Sequence, residues 1–176
     1  GWAMATQTLQ AADHELLAAG EWTATGEWDE VKSPYDGSLV GRVARGDAAL
    51  VDRATIAARA AFESGGFPQY ERAAVLDRAA ALARERADEL ALTIAAEAGK
   101  PLKTALAEAQ RCADTLTFSA VEARKLSGVT VPMDASASGA GKLGMMLRVP
   151  YGVVGAISCT RRSRLILMRL RSRMML

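Results

Sequence analysis

Histidine is almost missing from this chain, occurring once at position 14, and cysteine occurs only at 112 and 159. A lone imidazole without a cysteine or acidic cluster at ligand spacing predicts no metal centre, so His14 reads as structural or solvated. Two thiols do not make a disulfide framework, and both are expected to be reduced in a cytoplasmic setting. No apolar run approaches the roughly 18–20 residues of a membrane span. The first residues also lack the basic-then-apolar layout of a secretory signal. Aromatic residues make up only 5% of the sequence. Acidic residues are missing in one place: residues 158–176 hold six arginines and no aspartate or glutamate.

That local absence explains the charge. The chain has 22 basic and 20 acidic residues, so setting aside the six arginines leaves 16 against 20, a net −4 over residues 1–157. The body is an ordinary acidic protein with a basic tail. Half of the 176 residues are hydrophobic, many of them alanine. Such a chain can bury one core, and alanine favours closely packed helices.

Asp47 is placed as an N-cap, and Leu50, Val51, Ala54, Ala57, Ala58, Ala61 and Phe62 repeat at helical spacing up to Gly65-Gly66. A second stripe, Val75, Leu76, Ala79, Ala80, Leu82 and Ala83, begins near Pro68, and Asp88 can re-cap a continuation through Leu90, Leu92 and Ile94. Gly99-Lys100-Pro101 punctuates the pattern, and a long third run closes at Gly128. Helices are therefore expected near 47–64, 69–97 and 101–126, with short strands near 21–43 and 129–157. Asp36-Gly37 marks a hairpin turn between Val31 and Leu39–Val43. Val129–Met133 and Leu143–Val149 are β-like pieces around a small-residue turn, Asp134–Gly141. Gly141-Lys142 is no phosphate cradle, because the remaining P-loop residues and a following helix are missing. Met145 and Met146 read as core or interface filler.

The short apolar run Val153, Val154, Ala156 and Ile157, with Pro150 and Gly152 ahead of it, fits a strand buried on both faces of a parallel sheet. It resembles the first nucleotide-domain strand of the NAD(P)-dependent aldehyde dehydrogenases, P-x-G-V-V-x-x-I. Other fragments resemble the same family, in order. They are Gly20-Glu21-Trp22, Glu71-Arg72-Ala73 with Leu76, Ala87-Asp88-Glu89-Leu90, Glu97-x-Gly99-Lys100-Pro101 and Glu108. The resemblance runs from about Leu16 to Ile157. It implies an α/β family fragment: a helix-rich N-terminal part with short β-strands and at most the first strand of the nucleotide-binding sheet. It also implies that a strand like Leu143–Val149 takes part in oligomerisation.

After Ile157 the resemblance fails. Ser158 matches, but Cys159 stands for the family's Pro, Thr160 for its aromatic, and Arg161 for the Asn of the oxyanion hole. Ile157 and Ser158, a vestigial strand end, are the only positions the resemblance places at a cofactor. Family members oxidise aldehydes through a cysteine thiolate, with NAD or NADP as hydride acceptor and a Glu as general base. No residue of this chain matches the nucleophile or the base, so no catalytic residue is assigned and no cofactor is expected to bind. Arg161 and Arg162 would favour a Cys159 thiolate, but no histidine or placed carboxylate stands beside it. Cys112, flanked by Arg111 and Ala113, reads as a packing residue.

Two functional readings follow. The first is an inactive N-terminal fragment, residues 1–157 of family type and 158–176 an arginine-rich tail that fits a reading-frame change or fusion scar. It would self-associate through residues 129–157. The second is a non-enzymatic interaction module whose basic tail meets nucleic acid or an anionic surface. The tail has no Phe, Tyr or Trp on which bases could stack, which argues against nucleic acid.

Overall fold

The structure is a computed structural model that describes residues 11–157. Ser158, Cys159 and the arginine tail lie outside the described residues. The elements are, in order, β1 (Ala12–His14), β2 (Leu16–Ala18), β3 (Glu21–Thr23), β4 (Trp28–Lys32), β5 (Leu39–Ala44), α1 (Ala48–Glu63), α2 (Gln69–Glu85), α3 (Ala87–Ala98), α4 (Leu102–Lys125), β6 (Val129–Val131) and β7 (Gly144–Met146).

Three strands form a sheet in the order β1-β5-β4, with β1 parallel and β4 antiparallel to β5. The β4–β5 connection is the turn expected at Asp36-Gly37. Gly37 takes φ 74°, and its N–H donates to the Ser33 carbonyl at 2.9 Å. Val31, Val40 and Val43 point to one side and form a small core with Leu16 and Ala96. Ala96 belongs to α3, so this cluster joins the sheet to the helices. Gly99 makes a second joint: in the left-handed conformation at φ 63°, it lies against the Pro34 ring, where a Cβ would sit 2.8 Å from Cγ. Glycine at the end of α3 thus serves both the helix cap and close packing.

The main core is helical and built on alanine. Ala79, Ala80 and Ala83 of α2 are buried, as are Ala105, Ala109, Ala113 and Ala120 of α4. Alanine lets the two helix backbones approach closely. The helices run antiparallel, since Asp77 pairs with Arg124 at 2.6 Å while Arg84, further along, bonds Thr117 at 2.7 Å. From α3, Leu90, Ala91 and Ile94 complete the cluster.

Several expectations need correction. The single helix expected over 69–97 is two helices, because Arg86 leaves helical geometry (φ −102°, ψ 17°) and its guanidinium turns onto Glu89 at 2.7 Å. Strands β1 and β2 were not expected. The apolar stripe of α1 is not core: Asp47 does cap the helix, accepting from the Leu50 N–H at 2.8 Å, but none of its residues is buried. Val153–Ile157 is not a strand. It has no ladder partner among the described residues, and its side chains are exposed. A strand needs at least one ladder partner, and none faces this segment among the described residues.

Candidate functional site

Cys112 is the one thiol among the described residues. It lies mid-α4, half-buried between Arg111 and Ala113, and burial pushes its thiol up from the ordinary value by disfavouring the thiolate. An activated nucleophile needs the opposite shift or an adjacent base. His14 is far along the chain in β1, in register with Val43. Among the described residues, no group of three His, Cys, Asp or Glu side chains could hold a metal ion. Within the same residues, no helix is long and apolar enough to cross a membrane.

Ile157 and Ser158 are the positions the sequence assigned to a cofactor. Ile157 is 97% exposed, at the end of the described residues, and Ser158 lies beyond them.

The polar features that sequence reasoning missed are architectural. Thr93 and Glu97 are buried in α3, one helical turn apart, and the Thr93 hydroxyl donates to the Glu89 carbonyl at 3.0 Å. On the sheet, Arg42 grips Asp13 with two hydrogen bonds of 2.7 and 2.6 Å and lies over the Trp28 ring, 5.8 Å from its centre. This fork ties the edge strand β1 to β5 and β4. Asp13 and Arg42 are 29 residues apart, so no local pattern announces the pair.

The remaining candidate is a surface. β6 and β7 form an isolated antiparallel ribbon, Val129 opposite Met146 and Val131 opposite Gly144. Both strands leave their outer edges unpaired within the described residues. Gly128 brings the end of α4 against the ribbon, since a Cβ there would overlap the Met146 carbonyl oxygen. Met145 and Met146, expected as core or interface filler, are exposed and so are not core. Leu147, Val149, Tyr151 and Val154 continue the apolar surface past the ribbon. Exposed apolar patches and unpaired strand edges are the features on which contacts with another chain are built.

Comparison with known proteins decides the family. The family model described as "Aldehyde dehydrogenase family" matches residues 22–159. The chain belongs to the aldehyde dehydrogenase family. An aldehyde-dehydrogenase-like protein of Sinorhizobium fredii is 41% identical over 73% of this chain and 25% of its own length. The 3-sulfolactaldehyde dehydrogenase of Priestia aryabhattai is 33% identical over 87% of this chain and 32% of the relative. Among solved structures, aldehyde dehydrogenase 21 of Physcomitrella patens, in complex with the reaction product succinate, superposes with a TM-score of 0.72. It is 30% identical, over 77% of this chain and 29% of that one. The chain therefore spans about a quarter to a third of the length of these relatives, and its helix-rich fold is that of their N-terminal part.

Proposed function

We propose that this chain is the N-terminal scaffold of an NAD(P)-dependent aldehyde dehydrogenase and that the 176-residue polypeptide itself is catalytically silent. The observation that carries this reading is the family match over residues 22–159 combined with a span of at most about a third of the relatives. Aldehyde oxidation in the full-length family couples thiolate attack on the carbonyl to hydride transfer and thioester hydrolysis. It requires an activated thiol, a base for water and donors for the oxyanion. Cys112 is biased against thiolate by burial. Removing one oxyanion donor alone costs about 10²–10³ in turnover.

The family uses NAD or NADP, as relatives and solved complexes do. For this chain, titration calorimetry with NAD and NADP at micromolar protein should give no saturable heat, and aldehyde-dependent NAD(P)H formation should stay at the buffer rate. Saturable binding would sink the reading.

What the chain supplies is an assembly surface. Unpaired edges on β6 and β7 and the exposed apolar residues after them support self-association through residues 129–157. Six tail arginines oppose contact, and their repulsion shrinks as the Debye length falls from ~10 Å at 0.1 M to ~3 Å at 1 M salt. Light scattering should show a species that grows with ionic strength. A strictly monomeric particle at tens of micromolar protein across that range would refute self-association.

A further inference from the structure

The sequence holds no asparagine, and aspartate is followed by glycine at one place, Asp36-Gly37. That step carries a reaction of its own. The Gly37 backbone nitrogen can attack the side-chain carboxyl carbon of Asp36 and close a five-membered succinimide ring. The N–C bond forms, and the amide proton and the carboxyl hydroxyl leave together as water. Water then reopens the ring at either carbonyl. Opening at the main-chain carbonyl routes the backbone through the Asp36 side chain, giving isoaspartate with one extra methylene in the chain. Glycine favours closure because no Cβ crowds the attacking nitrogen.

The turn between β4 and β5 ties down both reacting groups. The Gly37 N–H donates to the Ser33 carbonyl at 2.9 Å, so the nitrogen keeps its proton and is turned toward that carbonyl. The Asp36 Oδ1 accepts from the Ser38 hydroxyl at 2.7 Å and from the Ser38 N–H at 3.1 Å. These two bonds draw the carboxylate past Gly37. The Ser38 hydroxyl, with the N–H behind it, also holds this carboxyl below its ordinary range, because both bonds favour the charged form. An ionised carboxylate has no hydroxyl to lose. Asp36, Gly37 and Ser38 are all exposed, so burial gives the step no protection.

We infer that Asp36-Gly37 is the chain's site of isoaspartate formation, and that Ser38 and the Ser33 carbonyl form a latch that blocks the reaction in the folded state. The latch belongs to the fold and not to the peptide alone. The Ser33 N–H closes the turn on the Ser38 carbonyl at 2.9 Å. The Pro34 ring lies against Gly99 at the end of α3, which anchors the turn to the helices. Unfolding removes these restraints together and frees both reacting groups.

The test compares the full chain held for days at neutral pH, either folded in buffer or unfolded in guanidinium, and then digested with trypsin. Cleavage after Lys32 and Arg42 releases residues 33–42. The aspartyl and isoaspartyl forms of this peptide have equal mass and separate by chromatography against synthetic standards. Isoaspartate should accumulate about tenfold faster in the unfolded chain, as expected when the restraining hydrogen bonds are lost. Ser38→Ala removes the hydroxyl and leaves the N–H. It should raise the folded rate about threefold, a modest effect for an exposed bond, and leave the unfolded rate unchanged. Ser38→Thr keeps both donors and should be as slow as the parent.

The inference fails if folded and unfolded parent chains isomerise at the same rate, a comparison that needs no variant. It fails equally if Ser38→Ala leaves the folded rate unchanged, or if Ser38→Thr is as fast as Ser38→Ala. If peptides holding Asp29 or Asp134 gain isoaspartate in the unfolded chain as fast as residues 33–42 do, Asp36-Gly37 is not the site.

Discussion

The α2–α3–α4 layer and helix α1 are written in nearly the same alphabet and end in opposite states. Both are alanine-rich, both repeat apolar residues at helical spacing, and both end at glycine or a short break. Yet Ala105, Ala109, Ala113 and Ala120 of α4 are at most 1% exposed, whereas Val51 and Ile56 of α1 are 62% and 69% exposed. Amphipathic spacing therefore reports that a helix has an apolar face, not that something covers it. Cover comes from connectivity. The single residue Arg86 and the Gly99–Pro101 turn fold α3 and α4 back onto α2, while among the described residues α1 leans mainly on β2.

The largest expected effect sets these two regions against each other. Leu90 is 2% exposed in the helical core, so Leu90→Ala should cost about 2–5 kcal/mol through lost burial and the cavity left behind. Val51→Ala removes a side chain that touches solvent and should stay within about 0.5 kcal/mol for the monomer. Urea unfolding at low protein concentration, below any association, measures both. Comparable losses would mean that α1 is packed after all and would break the comparison.

Legibility in the sequence follows the same division. The turn at Asp36-Gly37, the cap at Asp47 and the stop at Gly99 were readable because each rests on a local backbone requirement carried by one or two residues. The β2–β3 hairpin was not, because Ala19 takes a left-handed conformation at φ 54° beside Gly20 at φ 85°, and an alanine gives no turn signal there. The break at Arg86 was hidden for a related reason. Arginine is a good helix former, and the break depends on its contact with Glu89 and on packing that no periodicity encodes. Val153–Ile157 shows the reverse error. Its apolar run reads as a buried strand, but strand formation needs partners, and none is present among the described residues. The family could be read from motif order, whereas the state of the surfaces could not.

A second, smaller effect sharpens the contrast by separating the ribbon from the helical layer. A Cβ on Gly128 would overlap the Met146 carbonyl and press on Leu147, so Gly128→Ala should strain the junction by about 1–3 kcal/mol, as overpacking does. Because β6 and β7 pair only with each other among the described residues, the strain should fall on the ribbon. Hydrogen exchange should quicken at Val129 and Met146 while the amides of Ala105–Ala113 keep their protection. Equal loss in both places would show that the ribbon and the helices unfold as one unit.

The smallest effect tests how dry the rim of the helical layer is. Cys112 lies beside buried Ala113, and burial raises the pH at which its thiol ionises. The folded state therefore keeps the proton in a window where the unfolded chain, titrating near about 8.5, has lost it. By linkage, this contribution to stability is fully present below the unfolded value and declines as pH rises through the folded one. A Cys159→Ser chain should lose stability to urea between pH 7 and pH 10 relative to a chain with both cysteines replaced by Ser, which removes the titrating group. The same shift predicts slower alkylation by iodoacetamide at pH 8 in the folded Cys159→Ser chain than in urea, since less thiolate is present. Equal alkylation rates would mean that water reaches the Cys112 sulfur freely. The α4 rim would then be as wet as α1, and the contrast between the two regions would be confined to the alanine seam itself.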